Sequence, residues 1–186
     1  MKKVTAIVLA LTLLICLTAC AKETSGSASG GPALKEENGV LTCLDTTSSP
    51  FEDCAVRVSV DKTAGTVTFT KATKDGQDTK EYYRFTPSEH MLEQFYYVSM
   101  MGTGFYYYYD TDLGEMVRIE DKDHNDSTAS AKENGRFDGP AAQIKKDAAT
   151  LEEYFSNTYG MSIAEAVKKK DRLLPAGAET FLPAFD

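Results

Sequence analysis

Four cysteines and two histidines hold most of the nucleophilic and metal-binding chemistry of this 186-residue chain. Cys43 and Cys54 flank a polar stretch, LDTTSSPFED, and no C-x-x-C pair or Cys/His cluster accompanies them, so redox and zinc chemistry are poorly served. In an oxidising compartment the two would form a disulfide closing that stretch, contributing about 3 kcal/mol. Asp121-x-Asp123-x-Asn125 repeats the first three ligand positions of a calcium loop. Asp126 stands where such a loop needs Gly, however, and Lys132 where it needs a bidentate Glu, so a solvated acidic loop is the competing reading. His90 follows Ser88 and Glu89 in a segment read as structural, and His124 lies within the acidic loop. A hydrolase could be built from His124 or from a carboxylate pair, whose separation is not legible in a sequence. No G-x-S-x-G, H-E-x-x-H, P-loop or dinucleotide glycine fingerprint occurs. Ser59-Val60-Asp61-Lys62 matches S-x-x-K only on paper, because it falls at the end of a strand pattern where Ser and Lys do not share a face. No catalytic residue and no cofactor is assigned.

The densest chemistry is aromatic. Ten Tyr and nine Phe occur without a Trp, and many crowd into residues 82–109. In an extended chain Phe105, Tyr107 and Tyr109 point one way and Tyr106 and Tyr108 the other, so both faces of a sheet would be aromatic there. One face can be core. The other either stabilises a half-buried sheet through cross-strand pairs or offers rigid, hydroxyl-tipped contact surface to a sugar, peptide or protein. Tyr82, Tyr97, Tyr106 and Tyr108 are the candidate binding residues.

These side chains need a scaffold, and the period of the apolar residues describes it. Val56, Val58 and Val60 alternate with Arg57 and Ser59, and Val67 and Phe69 repeat the pattern after the turn-forming DKTAG, which makes a hairpin. A turn at KDGQ leads to a third strand, EYYRF. Thr86-Pro87-Ser88 then opens a short helix to Gln94 with Ser88 as cap, before a strand at 95–99. Residues 105–109 and 115–120 form a second hairpin, followed by a polar loop at 121–135. Beyond it the period becomes helical: Pro140 suits a helix start, Thr150-x-x-Glu153 and Ser162-x-x-Glu165 are capping boxes, and Gly160 ends the helix between them. Strands first and helices after imply an α+β domain, an antiparallel sheet of five or six strands with C-terminal helices packed on one face.

Charge narrows the partners. With 20 Lys and Arg against 28 Asp and Glu the chain carries a formal charge of −8, which speaks against nucleic acid. The N-terminus is of another kind: Lys2 and Lys3 precede a mostly apolar stretch at 4–17, too short to span a bilayer comfortably and followed at once by small residues, the pattern of a signal peptide. Leu17-Thr18-Ala19-Cys20 resembles the lipobox of bacterial lipoprotein precursors. That resemblance, confined to residues 1–20, implies removal of a signal peptide at 1–19 and attachment of diacylglyceryl, with further acylation such as palmitate, to Cys20. Several acyl chains hold a protein on a membrane far more firmly than one. Residues 20–38 then read as the lipidated Cys and a Gly/Ser-rich tether with a reach of roughly 23 Å, and residues 39–186 as one extracytoplasmic domain.

The functional expectation is therefore a lipid-anchored module on the extracytoplasmic side of a bacterial cell membrane, binding a ligand or protein through its Tyr-rich sheet face. A small cell-envelope hydrolase and a structural lipoprotein of an envelope assembly are the two alternatives. The location outside the membrane is also what favours the Cys43–Cys54 disulfide.

Overall fold

The computed structural model describes residues 32–168. Eight strands follow one another and each pairs antiparallel with the next, in the order β1 (Lys35–Glu37), β2 (Val40–Asp45), β3 (Ala55–Asp61), β4 (Thr66–Ala72), β5 (Asp78–Thr86), β6 (Met91–Val98), β7 (Thr103–Asp110), β8 (Glu115–Asp121). Three helices come after: α1 (Thr128–Glu133), α2 (Asp138–Tyr159) and α3 (Ile163–Val167). The α+β class is as expected, with more strands than the five or six foreseen.

Alternation builds the inner face. Val56, Val58 and Val60 of β3, Val67 and Phe69 of β4, Phe85 of β5 and Leu92 of β6 are all buried, each two residues from the next along its strand where the strand supplies more than one. Ile144, Ala148, Leu151 and Phe155 of α2 recur at three- and four-residue steps, and this single stripe lies against the sheet. Phe69 sits at the centre, in edge contact with Phe85, Tyr154 and Phe155 at centroid distances of 5.8, 6.3 and 6.0 Å. Polar side chains of the helix bond to two strands: the Tyr154 hydroxyl donates to Asp45 Oδ2 at 2.8 Å in β2, and Asp147 Oδ2 accepts from the Tyr83 hydroxyl of β5 at 2.7 Å. α3 follows a capping box of Ser162 and Glu165, and Ile163 and Ala166 close the core.

Five expectations need correction. The short helix at 88–94 is only a 3-10 turn at Pro87–Glu89, after which β6 starts at Met91: Leu92 and Gln94 alternate inward and the strand is paired on both sides, so ladder bonds prevail over a weak cap. Thr150 caps nothing, because α2 runs unbroken past it with Leu151 buried, and its hydroxyl donates to the Lys146 carbonyl of the preceding turn. The segment expected as tether contributes β1 to the sheet, with Leu34 packed on the core, and the polar loop contains α1.

The disulfide is the fifth. Cys43 and Cys54 are free thiols. β2–β3 pairing sets Cys43 opposite Val58, so Cys54 lies four residues further along the ladder, roughly 13 Å away at 3.3 Å per residue. Cys43 instead shares a hydrogen bond with the Tyr159 hydroxyl at 2.7 Å, and burial pushes its thiol pKa up.

Candidate functional site

The register of β5 to β8 decides which aromatic side chains meet. Tyr82 is paired with Phe95, Phe95 with Tyr106, and Tyr106 with Glu120. Directly opposed residues share a face, and residues two apart along a strand share it too. Tyr82, Tyr97, Tyr106 and Tyr108, all partly buried, therefore lie together on the outer side of the sheet, away from α2. Phe105, Tyr107 and Tyr109 take the inner side and join the core. The four tyrosines singled out in the sequence are thus brought onto one surface.

Their rings form a row. Tyr82 and Phe95 are 6.0 Å apart at 28° between planes, Phe95 and Tyr106 4.7 Å apart at 40°, and Tyr106 and the His124 imidazole 4.4 Å apart at 21°. Tyr97 leans on Phe95 from the side at 6.5 Å. Tyr82, Phe95 and Tyr106 stand on three adjacent strands, so their rings meet across the ladder, and the turn after β8 brings His124 onto Tyr106. Cations cover other faces: Lys80 Nζ lies 4.2 Å from the Tyr97 centroid, the Arg84 guanidinium 4.9 Å from that of Tyr82, and the Arg118 guanidinium 4.1 Å from that of Tyr108.

Two carboxylates tie the row down. Glu93 Oε1 accepts from the Tyr82 hydroxyl at 2.6 Å and from Arg84 at 3.4 Å. Glu120, only 8% exposed, accepts from the Tyr108 hydroxyl at 2.8 Å and meets His124 Nδ1 at 3.1 Å and Arg118 at 3.3 Å. Burial alone would raise the Glu120 pKa, but the Tyr108 and His124 hydrogen bonds and the Arg118 charge outweigh it and hold the carboxyl below its ordinary value. Burial, then the hydrogen bond to Glu120, pushes the Tyr108 hydroxyl up to about 12. Burial and Glu93 likewise raise Tyr82. At neutral pH these tyrosines are fixed donors. The hydroxyls of Tyr97 and Tyr106 have no protein partner among the described residues.

Glu93, Glu120, Arg84 and Arg118 were not singled out from the sequence. The signal was present in the two-residue steps Tyr82 to Arg84, Glu93 to Phe95 and Arg118 to Glu120, yet only register shows which of these steps face one another.

The calcium candidate does not assemble. Asp121 Oδ1 accepts from the backbone N–H groups of Asp123 and Asn125 at 2.8 and 3.0 Å, and the Asn125 amide donates to Asp121 Oδ2 at 2.9 Å. Asp123 is held by Lys122 at 2.7 Å. These acceptors serve a tight turn, and no group of three or more His, Cys, Asp or Glu fit to hold a metal occurs among the described residues. His124 belongs to the outer face, with its side chain 60% exposed. His90 is likewise at the surface, 2.9 Å from Asp112.

Comparison with protein-family models, curated proteins and solved structures finds no match. The site therefore stands on its geometry. Among the described residues no helix is long and apolar enough to cross a membrane, and Cys20 lies outside those residues.

Proposed function

We propose that this chain is a lipid-anchored bacterial lipoprotein whose extracytoplasmic domain binds a protein partner through the face formed by Tyr82, Tyr97, Tyr106 and Tyr108. The observation that carries the binding surface is the ring row itself. A sugar docks by laying an apolar face on a free aromatic face, whereas here Tyr82, Phe95, Tyr106 and His124 turn their faces to one another and Arg84, Arg118 and Lys80 cover others. Ring edges, the Tyr97 and Tyr106 hydroxyls and guanidinium groups are presented to a partner. Tyr and Arg are the residues enriched at energetically dominant positions of protein interfaces. Because the rings are already fixed by Glu93 and Glu120, docking would cost little side-chain entropy.

Photocrosslinking on intact cells tests the surface. A benzophenone side chain at Tyr97 or Tyr106 should give the same discrete protein adduct, absent when it is placed at exposed Ala149 on the helical side. Equal adducts from both sides, or none from the sheet, would sink the proposal. The anchor is tested separately: labelled palmitate should enter the full-length protein and be lost in Cys20→Ser.

A further inference from the structure

A second concave feature lies on the other side of the sheet. The loop preceding β3, the inner ends of β4 to β7 and the first half of α2 enclose a cleft of about 700 Å³, within the range of small-molecule sites. Its walls are aromatic: Phe51 stacks on Tyr83 at 5.5 Å and 20°, and Tyr96 lies 6.4 Å from Tyr107. Tyr96 is 42% exposed although it stands on the inner face with Leu92 and Gln94, because α2 does not cover this end.

The polar groups inside form a chain whose direction is fixed. The Asp147 carboxylate can only accept, so the Tyr83 hydroxyl donates to Oδ2 at 2.7 Å and Gln143 donates to Oδ1 at 2.7 Å. With its proton committed, the Tyr83 oxygen must accept, and Gln94 Nε2 supplies that donor at 2.9 Å. This sets the orientation of the Gln94 amide. Its carbonyl oxygen is left without a protein donor although Gln94 is only 7% exposed and lines the cleft, and no buried side-chain polar atom of the described residues is sealed off unpaired. The oxygen therefore opens on the cleft. Lys71 pairs with Glu81 at 2.7 Å and the exposed rim bears one group of each sign, Glu52 and Lys146, while the Asp147 carboxylate has no cation beside it among the described residues and is bonded by the neutral donors Tyr83 and Gln143, which disfavours an anionic ligand.

We infer that this cleft is a binding site, separate from the outer face, for a small neutral aromatic molecule that donates one N–H or O–H hydrogen bond to Gln94 Oε1. The ring packs among Phe51, Tyr96 and Tyr107. The donor completes the relay Gln94, Tyr83, Asp147, in which each bond polarises the next.

The chain contains no Trp, so the emission of added indole can be followed without interference from the protein when it is excited at the red edge. Indole should show a saturable blue shift on titration with the full protein, and 1-methylindole, which lacks the donor, should bind about tenfold more weakly. Gln94→Leu should bind the two probes equally, its fold checked by circular dichroism. If the wild type binds both probes equally, or shows no saturable shift with indole, the proposal is overturned without reference to any variant. A folded Gln94→Leu that still prefers indole would overturn the role of Gln94.

Discussion

The ring of Phe95 lies against the bare backbone of Gly104. A Cβ built on that glycine would come within 2.5 Å of Phe95 Cζ and 2.7 Å of Cε2. Glycine in a strand gives up stability, and here the lost side chain is replaced by a neighbour's ring, which is also the middle member of the outer row. Gly104→Ala should therefore push Phe95 off its seat, cost about 1–3 kcal/mol as an overpacking change, and alter the near-ultraviolet circular dichroism of the stacked rings. A variant that melts like the wild type with an unchanged aromatic spectrum would contradict this.

Asp45 ties the helix to β2 and should govern the acid side of stability. It is fully buried, and burial would raise its pKa, but the Ser48 and Thr47 N–H groups and the hydroxyls of Tyr154 and Thr47 overcome that and lower it. A carboxyl with a lower pKa when folded stabilises the protein above its unfolded value, near 4, and that contribution disappears as pH falls through the folded value. Asp45→Asn should cost about 1–3 kcal/mol at neutral pH. The gap between wild type and variant, measured by urea unfolding, should close as the pH is lowered below 4.

The alkaline side runs through the tyrosines. Tyr82, Tyr83, Tyr108, Tyr154 and Tyr159 all have raised pKa values, burial being the first cause for each and a carboxylate or, for Tyr159, the Cys43 thiol the next. The folded state holds these protons more tightly than the unfolded chain, so their stabilisation is complete below about pH 10 and is lost as pH climbs past it toward the folded values. Tyrosinate absorbance from these five should appear only together with loss of far-ultraviolet circular dichroism. Their titration within a still-folded sheet would refute the assignment.

Both domain cysteines should be thiols. Peptide mapping after alkylation in denaturant, with no reductant, should find Cys43 and Cys54 fully modified. Under native conditions Cys54, partly exposed, should react first and Cys43, buried beside Tyr159, only on unfolding. A linked Cys43–Cys54 peptide would overturn the register of β2 on β3.

Much of this fold was legible wherever one face is apolar and the other polar. The β3–β4 hairpin shows it, as do the β7–β8 hairpin, the helix stripe ending at Gly160 and the Ser162 capping box. Reading failed where the chemistry was ambiguous. Asn38-Gly39 is a strong hairpin signal, with both φ angles positive at 54° and 84°, yet the charged KEE before it carries no apolar pattern, so β1 reads as tether in the sequence. Pro87 and Ser88 suggest a helix start, but Leu92 and Gln94 alternate with Glu93 and Phe95, and pairing on both flanks decides the matter. Of the candidate site, the common face of Tyr106 and Tyr108 follows from strand parity, whereas Tyr82 and Tyr97 join it through the register of β5 on β6 and β6 on β7. The stacking, the two carboxylate anchors and the cleft behind the sheet depend on register and on where α2 stops covering it, which are long-range facts.

The strictly sequential order of the strands also has a kinetic meaning. Each of the seven pairings joins neighbours in the chain, so the sheet can grow hairpin by hairpin with short loop closures. The bonds from Tyr154 to Asp45 and from Tyr159 to Cys43 span 109 and 116 residues and can form only after α2 has been made. A chain emerging from its N-terminus would hold an aromatic sheet with its inner face uncovered until the helix arrives, a period in which that face is open to aggregation or to a chaperone.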